Sequence, residues 1–332
     1  GIDAIYPTMD KVIYKLKELE KELGCIVISS PKETTRICLF KNKTYGKLKN
    51  VVHVPHIYET IKDINKYPVF IKPNIGYGSR GTFKADSVKD IEYFFSKKDY
   101  SEHIISEYLE GEEYTVDCFT DRKGILKFCG PRVRQRIRNG ISVNTKPVRI
   151  DLSSFHEMAK QINNALEMRG AWFFQLKKNE KNILFLMEIA SRLGGSSSLY
   201  RAQGVNFALL STFDAFDINV EIALNNFELE LDRALENKYK IDLFFSTVYV
   251  DFDDCLIIDN RINTELVQFL YSCLNRGKKL IIISKHEGDL EGELRKYRLI
   301  NLFDEIIHLD KDKRKIDYIN PSDSIFIDDS FS

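Results

Sequence analysis

The sequence predicts a multidomain protein that combines α/β and α+β organisation, and two observations support this fold class. First, 332 residues are too many for one ordinary hydrophobic core and suit two or three domains. Second, the pattern of elements changes near residue 240. Before this point the predicted strands occur in hairpins between helices, whereas after it strand, helix and strand alternate, which is typical of a parallel α/β sheet. We therefore place a domain boundary between 236 and 242, after the charged segment LDRALENKYK.

The elements of the first part follow from hydrophobic periodicity and from helix-stop residues. An amphipathic helix is predicted over Met9–Leu23, with Thr8 as its N-cap and Gly24 as its stop. Further helices are predicted over Val88–Lys97, Phe155–Met168 and Phe207–Phe216. The predicted strands are the apolar runs CIVIS (25–29), PVFIKP (68–73), HIISEYL (103–109), EYTVDCFT (113–120), ILKF (125–128), AWFFQLK (171–177) and ILFLMEI (183–189).

The second part has fewer elements and a different order. Its predicted strands are TVYVDFDD (247–254), LIIIS (280–284) and SIFIDD (324–329), and a helix is predicted over Thr264–Asn275. Two of these strands end in acidic residues. This arrangement predicts that polar side chains gather at the carboxyl ends of a parallel sheet.

Charge and hydropathy exclude several classes of partner. The chain carries 49 basic and 49 acidic residues, so it lacks the positive excess of proteins that bind nucleic acid electrostatically. No segment approaches the run of about 18 to 20 apolar residues that a membrane span requires, and no signal peptide is recognisable. The six cysteines lack the spacing of a zinc ribbon or a CxxC pair. We therefore expect a cytoplasmic protein with reduced thiols and small-molecule partners; the sequence carries no signal for an oligomeric state.

A glycine-rich loop, IKPNIGYGSRGTF, follows the predicted strand 68–73. Gly76, Gly78 and Gly81 leave backbone amides bare, which lets these amides approach phosphate oxygens. Lys72 stands at the end of the preceding strand, where its ammonium group can meet a phosphate. A glycine-rich hairpin turn explains the same residues equally well.

The segment ISEYLEGEEYTVD (105–117) suits a hinge between two lobes, because an acid and two further residues precede a glycine. The backbone of such a hinge can present a carbonyl and an amide to an adenine edge. A later acid can hold ribose hydroxyls. The alternative is a β-hairpin with solvated acids.

Two polar residues interrupt the apolar strands near residues 171–189. Gln175 and Glu188 lie on neighbouring predicted strands, where an unpaired charge is costly. A glutamate at a strand end that faces phosphates is a natural magnesium ligand, and Arg192 can supply a fixed cation to a transferred phosphoryl group. The alternative is a buried ion pair between Glu188 and Arg192.

These motifs occur in a characteristic order: a lysine in KNKTY, then IKPNIGYGSRG, EYLEGEEYTVD, PRVRQRIRNGIS, a strand with glutamine, and EIASRLGGSSSLY. In this order the chain resembles the ATP-grasp superfamily over about residues 1–225, most closely the short relatives of the carbamoyl-phosphate synthase large chain. The resemblance implies a two-lobed ATP-grasp domain over 41–238, with the nucleotide between the lobes. It also implies that residues 1–40 are the remnant of a preceding α/β domain, so that the chain lacks a segment at its start.

The resemblance also assigns roles to individual residues. It implies that ATP is contacted by Lys41 and Lys72, and that its phosphates are covered by Gly78, Ser79 and Gly81. It implies adenine contacts from Glu107 and Leu109, a ribose contact from Glu113, contacts to the transferred phosphate from Arg134 and Arg192, and magnesium ligation by Gln175 and Glu188. One position departs from the family pattern Glu-x-Asn, since Ala190 replaces the asparagine and removes one magnesium ligand.

The second part carries its own acidic motif. Asp251 and Asp253 end the strand in VYVDFDDCLI, and such a pair of carboxylates favours a bound magnesium ion. The pattern resembles the haloacid dehalogenase (HAD) superfamily, with Cys255 where threonine is usual. The resemblance implies a Rossmann-like domain over 242–332 that is incomplete at its end.

In that family Asp251 would be the nucleophile and Asp253 the general acid and base. Phosphate would be bound by Ser284 and by one of Lys311, Lys313 and Lys315, of which we select Lys315 because it opens the helix before the last strand. Magnesium would be held by Asp251, Asp253, Asp328 and Asp329.

The sequence therefore predicts an ATP-dependent carboxylate–amine ligase with an attached HAD-type phosphatase domain. The expected cofactors are ATP and Mg²⁺, with Mn²⁺ as a substitute, and the expected substrates are a small carboxylate and an amine. Two alternatives remain open: a nucleotide-binding or regulatory module whose ligase activity has decayed, which Ala190 favours, and a phosphatase that uses the ATP-grasp domain as a substrate platform.

Overall fold

The structure is a computed structural model that describes residues 1–138, 140–233 and 237–329, with the backbone alone over 237–240. The chain divides into two compact units, Gly1–Asp242 and Leu243–Ser332, so the division along the sequence falls directly after residue 242.

The helices of the first unit are Asp10–Leu23 (α1), Lys32–Leu39 (α2), Lys41–Leu48 (α3), Val88–Phe95 (α4), Leu152–Ala165 (α5), Ser198–Ala202 (α6) and Phe207–Ala215 (α7). Its strands are Ala4–Ile5 (β1), Ile26–Val27 (β2), Ile57–Tyr58 (β3), Val69–Pro73 (β4), Phe83–Ala85 (β5), His103–Glu107 (β6), Glu113–Thr120 (β7), Leu126–Arg138 (β8), Ile141–Pro147 (β9), Gly170–Lys178 (β10), Leu184–Ala190 (β11), Glu228–Arg233 (β12) and Asn237–Asp242 (β13).

The start of α1 differs from its prediction. Thr8 is not the N-cap: the cap position is Met9, in an extended conformation without a side-chain hydrogen bond, and Asp10 occupies the first turn. A carboxylate there interacts favourably with the positive end of the helix dipole, so an oxygen cap at Thr8 is not required. The predicted stop is correct, since Gly24 has the left-handed conformation (φ 63°) that glycine adopts without strain.

Two antiparallel sheets form the body of the first unit. One has seven strands in the order β11-β10-β7-β8-β9-β12-β13, and the other has four strands in the order β3-β6-β4-β5. A separate parallel pair joins β1 to β2. The return strand predicted as ILKF is much longer in the structure, because β8 continues to Arg138 and includes the segment PRVRQRIR.

The core of the seven-stranded sheet explains its stability. Trp172, Phe174 and Leu176 project from β10 on one face, and Ile162 of α5 packs in the same cluster of buried side chains. The indole Nε1 of Trp172 donates a hydrogen bond of 2.9 Å to Thr120, so burial leaves no unpaired donor on the indole. A rigid sheet of this kind can hold polar side chains at fixed positions on its strands.

The second unit contains a four-stranded parallel sheet. The strands of this sheet are Thr247–Val250 (β14), Lys279–Ser284 (β17), Glu305–His308 (β18) and Ser324–Ile327 (β19), and Ile257–Ile258 (β15) and Arg261–Ile262 (β16) form a separate antiparallel pair. The helices of the second unit are Thr264–Leu274 (α8) and Leu290–Lys296 (α9). In the order β18-β17-β14-β19, the strands β14, β17 and β19 run parallel, so their carboxyl ends lie at the same edge of the sheet. The predicted helix at Lys315 is a short 3₁₀ turn, Lys315–Tyr318.

Candidate functional site

A cavity of about 120 Å³ in the first unit gathers most of the residues that the sequence predicts to bind a ligand. Its walls come from both sheets, since β4 supplies one wall and β7, β8, β10 and β11 supply the other. The predicted residues that line it are Lys41, Lys72, Gly78, Ser79, Glu107, Leu109, Glu113, Arg134, Gln175 and Glu188. Residues separated by more than a hundred positions in the sequence therefore share one cleft.

Two predicted residues of the first unit do not line this cavity. Gly81 has a left-handed φ of 72°, and a Cβ atom there would lie 3.1 Å from Pro73, so it shapes the turn behind the loop. Arg192 faces a neighbouring cavity and pairs with Asp10 of α1 through two contacts of 2.9 and 2.8 Å. The alternative of an ion pair between Glu188 and Arg192 is therefore wrong.

Gln175 and Glu188 are direct partners across the antiparallel strands β10 and β11. Arg134 donates a hydrogen bond of 2.9 Å to the amide oxygen of Gln175, which orients that side chain. Within the described part of the chain, the Glu188 carboxylate has neither a hydrogen bond nor an ion pair. An unpaired, half-buried carboxylate next to an amide oxygen offers the oxygen ligands that Mg²⁺ prefers.

Lys72 is almost fully buried, with 4% exposure, at the end of β4. Its Nζ donates a 2.6 Å hydrogen bond to the hydroxyl of Tyr45, which in turn donates to the backbone oxygen of Met187. Burial, with a smaller contribution from nearby Lys41, lowers the pKa of Lys72 to about 7. A neighbouring anion would restore the charged form.

Arg134 is the central cation of the cleft. Its guanidinium group donates to Glu113 (3.0 Å), to Gln175 (2.9 Å) and to the backbone oxygen of Gly140 (2.6 Å). Burial lowers the pKa of Arg134 from its usual range, although arginine stays charged at any physiological pH. These three contacts hold the guanidinium group rigidly against the cleft.

The turn between β8 and β9 lies against the glycine-rich loop. A Cβ atom on Gly140 would lie 2.3 Å from the backbone carbon of Gly78 and 2.5 Å from the Ser79 hydroxyl. Gly140 also has a left-handed φ of 72°, so two independent constraints require glycine here. The contact places the loop 78–79 over the cleft.

The second unit has a separate acidic cluster at the carboxyl edge of its sheet. Carboxylate oxygens of Asp251, Asp328 and Asp329 lie within 4.8 Å of one another. Asp251 is buried and its Oδ1 has no hydrogen-bond partner among the described residues. Buried like charges at this spacing favour a divalent cation, and the donor set fits Mg²⁺.

Lys315 lies inside this cluster. Its Nζ is 2.9 Å from Asp251 and 2.8 Å from Asp328, while the neighbouring candidates Lys311 and Lys313 have exposed side chains. Ser284 is buried at the end of β17. This arrangement supports the choice of Lys315 among the three lysines.

Asp253 lies outside the acidic cluster of three. Its side chain is 53% exposed, and both carboxylate oxygens lie within hydrogen-bond distance (2.9 and 3.0 Å) of Nδ1 of His286. The ring of His286 packs edge-on against Phe252. His286 therefore orients Asp253, a role that the sequence did not reveal.

The sequence did not indicate several residues that lie in the first cleft or contact residues near it. Tyr45 follows Lys41 by four positions on α3, so the helical spacing in KNKTY could have indicated that both face one side. Lys177 lines the cleft and pairs with Glu113 at 3.1 Å. Asp10 and Arg233 carry no local signal, because their relevance depends on long-range packing.

Comparison with known families agrees with these features. Residues 99–231 match a family described as ATP-grasp in the biosynthetic pathway with Ter operon. A D-alanine–D-alanine ligase of Fusobacterium nucleatum is 27% identical over 161 residues, which cover 45% of this chain and 55% of the relative. A D-alanine–D-alanine ligase of Thermotoga petrophila is 28% identical over 133 residues, 37% of this chain and 44% of the relative. The chain thus spans about half the length of the curated relatives it matches.

Solved structures show the fold. Biotin carboxylase from Campylobacter jejuni, in complex with β-γ-ATP, superposes with a TM-score of 0.61 at 18% identity and covers 70% of this chain and 59% of its own. N5-carboxyaminoimidazole synthetase from Staphylococcus aureus, complexed with ADP, gives 0.60 at 18% identity, with 70% and 65% covered.

The protein therefore has a mixed α/β, ATP-grasp-like fold, and its sequence is similar to ATP-grasp proteins over residues 99–231. ATP-grasp enzymes bind ATP and Mg²⁺. The finer resemblance to short relatives of the carbamoyl-phosphate synthase large chain stays a prediction. Across residues 1–138, 140–233 and 237–329, no helix has the length and apolar character needed to cross a bilayer.

Proposed function

We propose that the first unit is an ATP- and Mg²⁺-dependent ligase that activates a carboxylate as an acyl phosphate for attack by an amine or another nucleophile. The observation that carries this proposal is the carboxylate of Glu188, which no described residue pairs and which lies opposite Gln175 in a cleft that Lys41, Lys72 and Arg134 also line. A carboxylate without a partner among the described residues, beside these cations, is suited to a metal that accompanies a polyphosphate.

The cleft divides into regions that match the parts of ATP. Lys41, Lys72 and the loop 76–79 would contact the phosphates through ammonium groups and backbone amides. The segment 107–109 would border the adenine, with Glu113 near the ribose. These assignments follow the family pattern and agree with the residues that line the cavity.

Magnesium would be held by Glu188 and Gln175. Ala190 offers no side-chain oxygen at the third position, so the protein supplies fewer ligands than the family pattern. Mg²⁺ commonly takes only one or two protein ligands together with substrate phosphates, and therefore one metal ion suits this site. When bound, the metal would neutralise charge on the phosphates.

The chain's own residues would position the reactants. A carboxylate oxygen of the substrate attacks the γ-phosphorus in line, the bond to the β-phosphate oxygen breaks, and ADP leaves. Arg134, held by three hydrogen bonds, would stabilise the charge on the transferred phosphoryl group. An amine then attacks the acyl carbon, loses a proton and displaces inorganic phosphate.

The direct test is ADP release by the full chain with ATP and Mg²⁺ across a panel of carboxylates and amines. We expect release that depends on the carboxylate and yields an amide in the presence of the correct amine. ATP binding without turnover over a broad panel would contradict the ligase proposal and favour a nucleotide-binding module.

The low pKa of Lys72 predicts a pH-dependent affinity for ATP. Below pH 7 the ammonium group is already charged, so its contribution to binding is constant. Above pH 7 Lys72 of the free protein loses this proton. Because a bound phosphate raises the pKa of Lys72, the protein takes up a proton when ATP binds. The Lys72 contribution to the association constant should therefore fall by up to about tenfold per pH unit above 7.

Calorimetry at pH 6.5, 7.5 and 8.5 in buffers of different ionisation enthalpy would measure both the affinity and the proton uptake. Titration of ATP itself affects both proteins equally. It therefore cancels when the affinity and proton uptake of Lys72→Met are subtracted from those of the wild type. Lys47→Met, at an exposed position on the same helix as Lys41, is the matched control. An equal pH slope in Lys72→Met and the wild type would contradict this role of Lys72.

We also propose that the second unit is a HAD-type phosphatase domain. The specific observation is the cluster in which Lys315 bridges Asp251 and Asp328 beside the unpaired Oδ1 of Asp251. In this proposal an oxygen of Asp251 attacks the phosphorus of a phosphoester, the bond to the ester oxygen breaks, and Asp253 gives a proton to the departing alcohol. Water, which loses a proton to Asp253, then hydrolyses the aspartyl phosphate and releases inorganic phosphate, while Ser284 and Lys315 bind the phosphate group. Mg²⁺ would be held by Asp251, Asp328 and Asp329.

A further inference from the structure

A second cavity of about 240 Å³ in the first unit adjoins the proposed nucleotide cleft. The two cavities share Tyr77, Gly78, Ser79, Arg134, Gln175 and Glu188, so a molecule in the second cavity would lie beside the proposed phosphate end of the cleft. Four arginines from three places in the sequence line the second cavity: Arg132 and Arg134 on β8, Arg192 after β11, and Arg233 at the end of β12.

Three of these arginines already have acidic partners. Arg132 contacts Asp117 at 2.6 Å, Arg134 contacts Glu113 at 3.0 Å, and Arg192 contacts Asp10 at 2.8 Å. None of the three acids lines the second cavity, whose acidic lining residue is Glu188.

Arg233 differs from the other three. It lies half-buried at the end of β12, and it has no ion pair with any residue of the described ranges. Its strand neighbour Asp232 is paired instead with Arg136, at 2.6 Å. A half-buried guanidinium group that no acid of the described ranges pairs is suited to an anion supplied by a ligand.

The neighbouring glycines fit this interpretation. A Cβ atom on Gly195 would lie 2.8 Å from Nη1 of Arg233, and one on Gly194 would lie 2.6 Å from Asp117 and 3.3 Å from Arg132. Any side chain at these two positions would displace the charged groups at the cavity wall. The pair Gly194–Gly195 therefore allows the backbone to pack directly against both arginines.

We propose that the carboxylate substrate carries a second anionic group, a carboxylate or a phosphate, which Arg233 binds. This inference rests on the proposed ligase function, and it adds a specificity-determining residue and a substrate class. The reacting carboxylate would lie near Arg134 and Glu188, where both cavities meet, and the second anion would lie on the Arg233 side of the same cavity. A charge-assisted contact to a guanidinium group supplies the discrimination between dianion and monoanion.

The test measures binding to the full chain saturated with MgADP, by calorimetry, for pairs that differ in one anionic group: butyrate and glutarate, alanine and aspartate, serine and O-phosphoserine. In at least one pair we expect the compound with the extra anion to bind about 10- to 100-fold more tightly, the range for one charged hydrogen-bonded contact. The dicarboxylate and phosphate members distinguish the two kinds of anion.

Arg233→Gln should reduce that preference to about threefold or less, while Arg233→Lys should keep part of it because the charge remains. Arg136→Gln, at an exposed arginine on β8, is the matched control and should leave the preference unchanged. Thermal melting checks that each variant is folded. Equal binding within every pair, or a preference that survives Arg233→Gln, would overturn the proposal.

The outcome also separates this inference from the ligase function. Carboxylate-dependent ADP release that ignores the second anion and is unaffected by Arg233→Gln would refute the inference and leave the ligase standing. An Arg233-dependent anion preference without ADP release would refute the ligase and leave an anion site of the kind described.

Discussion

Glu188→Gln is expected to lower carboxylate-dependent ADP release by about two to four orders of magnitude, because it removes the charged oxygen ligand proposed for magnesium. The substitution keeps the size of the side chain and its place opposite Gln175 on the sheet. Since Glu188 has no hydrogen bond or ion pair with the described residues, its loss should leave the stability of the fold nearly unchanged. A coupled assay for ADP over a range of Mg²⁺ concentrations would measure the effect.

Glu180→Gln provides the matched control. Glu180 lies in the turn between β10 and β11, 66% exposed, where it makes a surface contact with Lys66. Surface ion pairs of this kind contribute little to stability, so the control should behave as wild type. If Glu188→Gln retained full turnover at low Mg²⁺, Glu188 would not be a metal ligand.

Asp251→Asn should abolish phosphoester hydrolysis by the second unit, with a loss of about four to six orders of magnitude, the scale for removal of a nucleophile. Asparagine preserves the shape of the side chain but cannot form the proposed aspartyl phosphate. Lys315 keeps its contact with Asp328, so the local structure should persist. Hydrolysis of p-nitrophenyl phosphate by the full chain with Mg²⁺ is the measurement.

Asp254→Asn is the control for this experiment. Asp254 is exposed and has a left-handed φ of 51°, a conformation that asparagine also tolerates. ATP binding by the first unit should be equal in both variants. If the wild type hydrolysed none of a broad set of phosphoesters, or if Asp251→Asn remained active, the phosphatase proposal would fail.

Much of the candidate site could be predicted because motif residues stand at recognisable local positions. Lys72 ends a strand, the glycines follow it at once, and Gln175 and Glu188 interrupt two apolar strands that pair. Each of these signals depends on neighbours within a few residues. Their order along the chain then indicated one ATP-grasp site.

Other features depend on distant contacts and had no local signal. The pairing of Arg192 with Asp10 crosses 182 positions, and it takes the place of the alternative considered for Arg192, an ion pair with the nearby Glu188. His286 became relevant only because β14 and β17 are neighbours, which brings it to Asp253. Closeness in the sequence did not predict these ion pairs, because a long side chain can pair with any group of opposite charge that folding brings within reach.

By itself, the sequence predicted the type of the longer helices and strands, the change of organisation near residue 240, and ten of the residues that line the first cleft. Apolar periodicity and glycine-rich turns are local properties, and therefore they can be read directly from the chain. The tertiary structure alone decided the electrostatic state of the site. It buried Lys72 beside Tyr45, left Glu188 without a partner among the residues that the structure describes, and brought Arg233 to a cavity with three other arginines. The physical reason is that desolvation depends on how deeply a group is buried and that ion pairing depends on the distances between charges. Both burial and these distances are set by the fold.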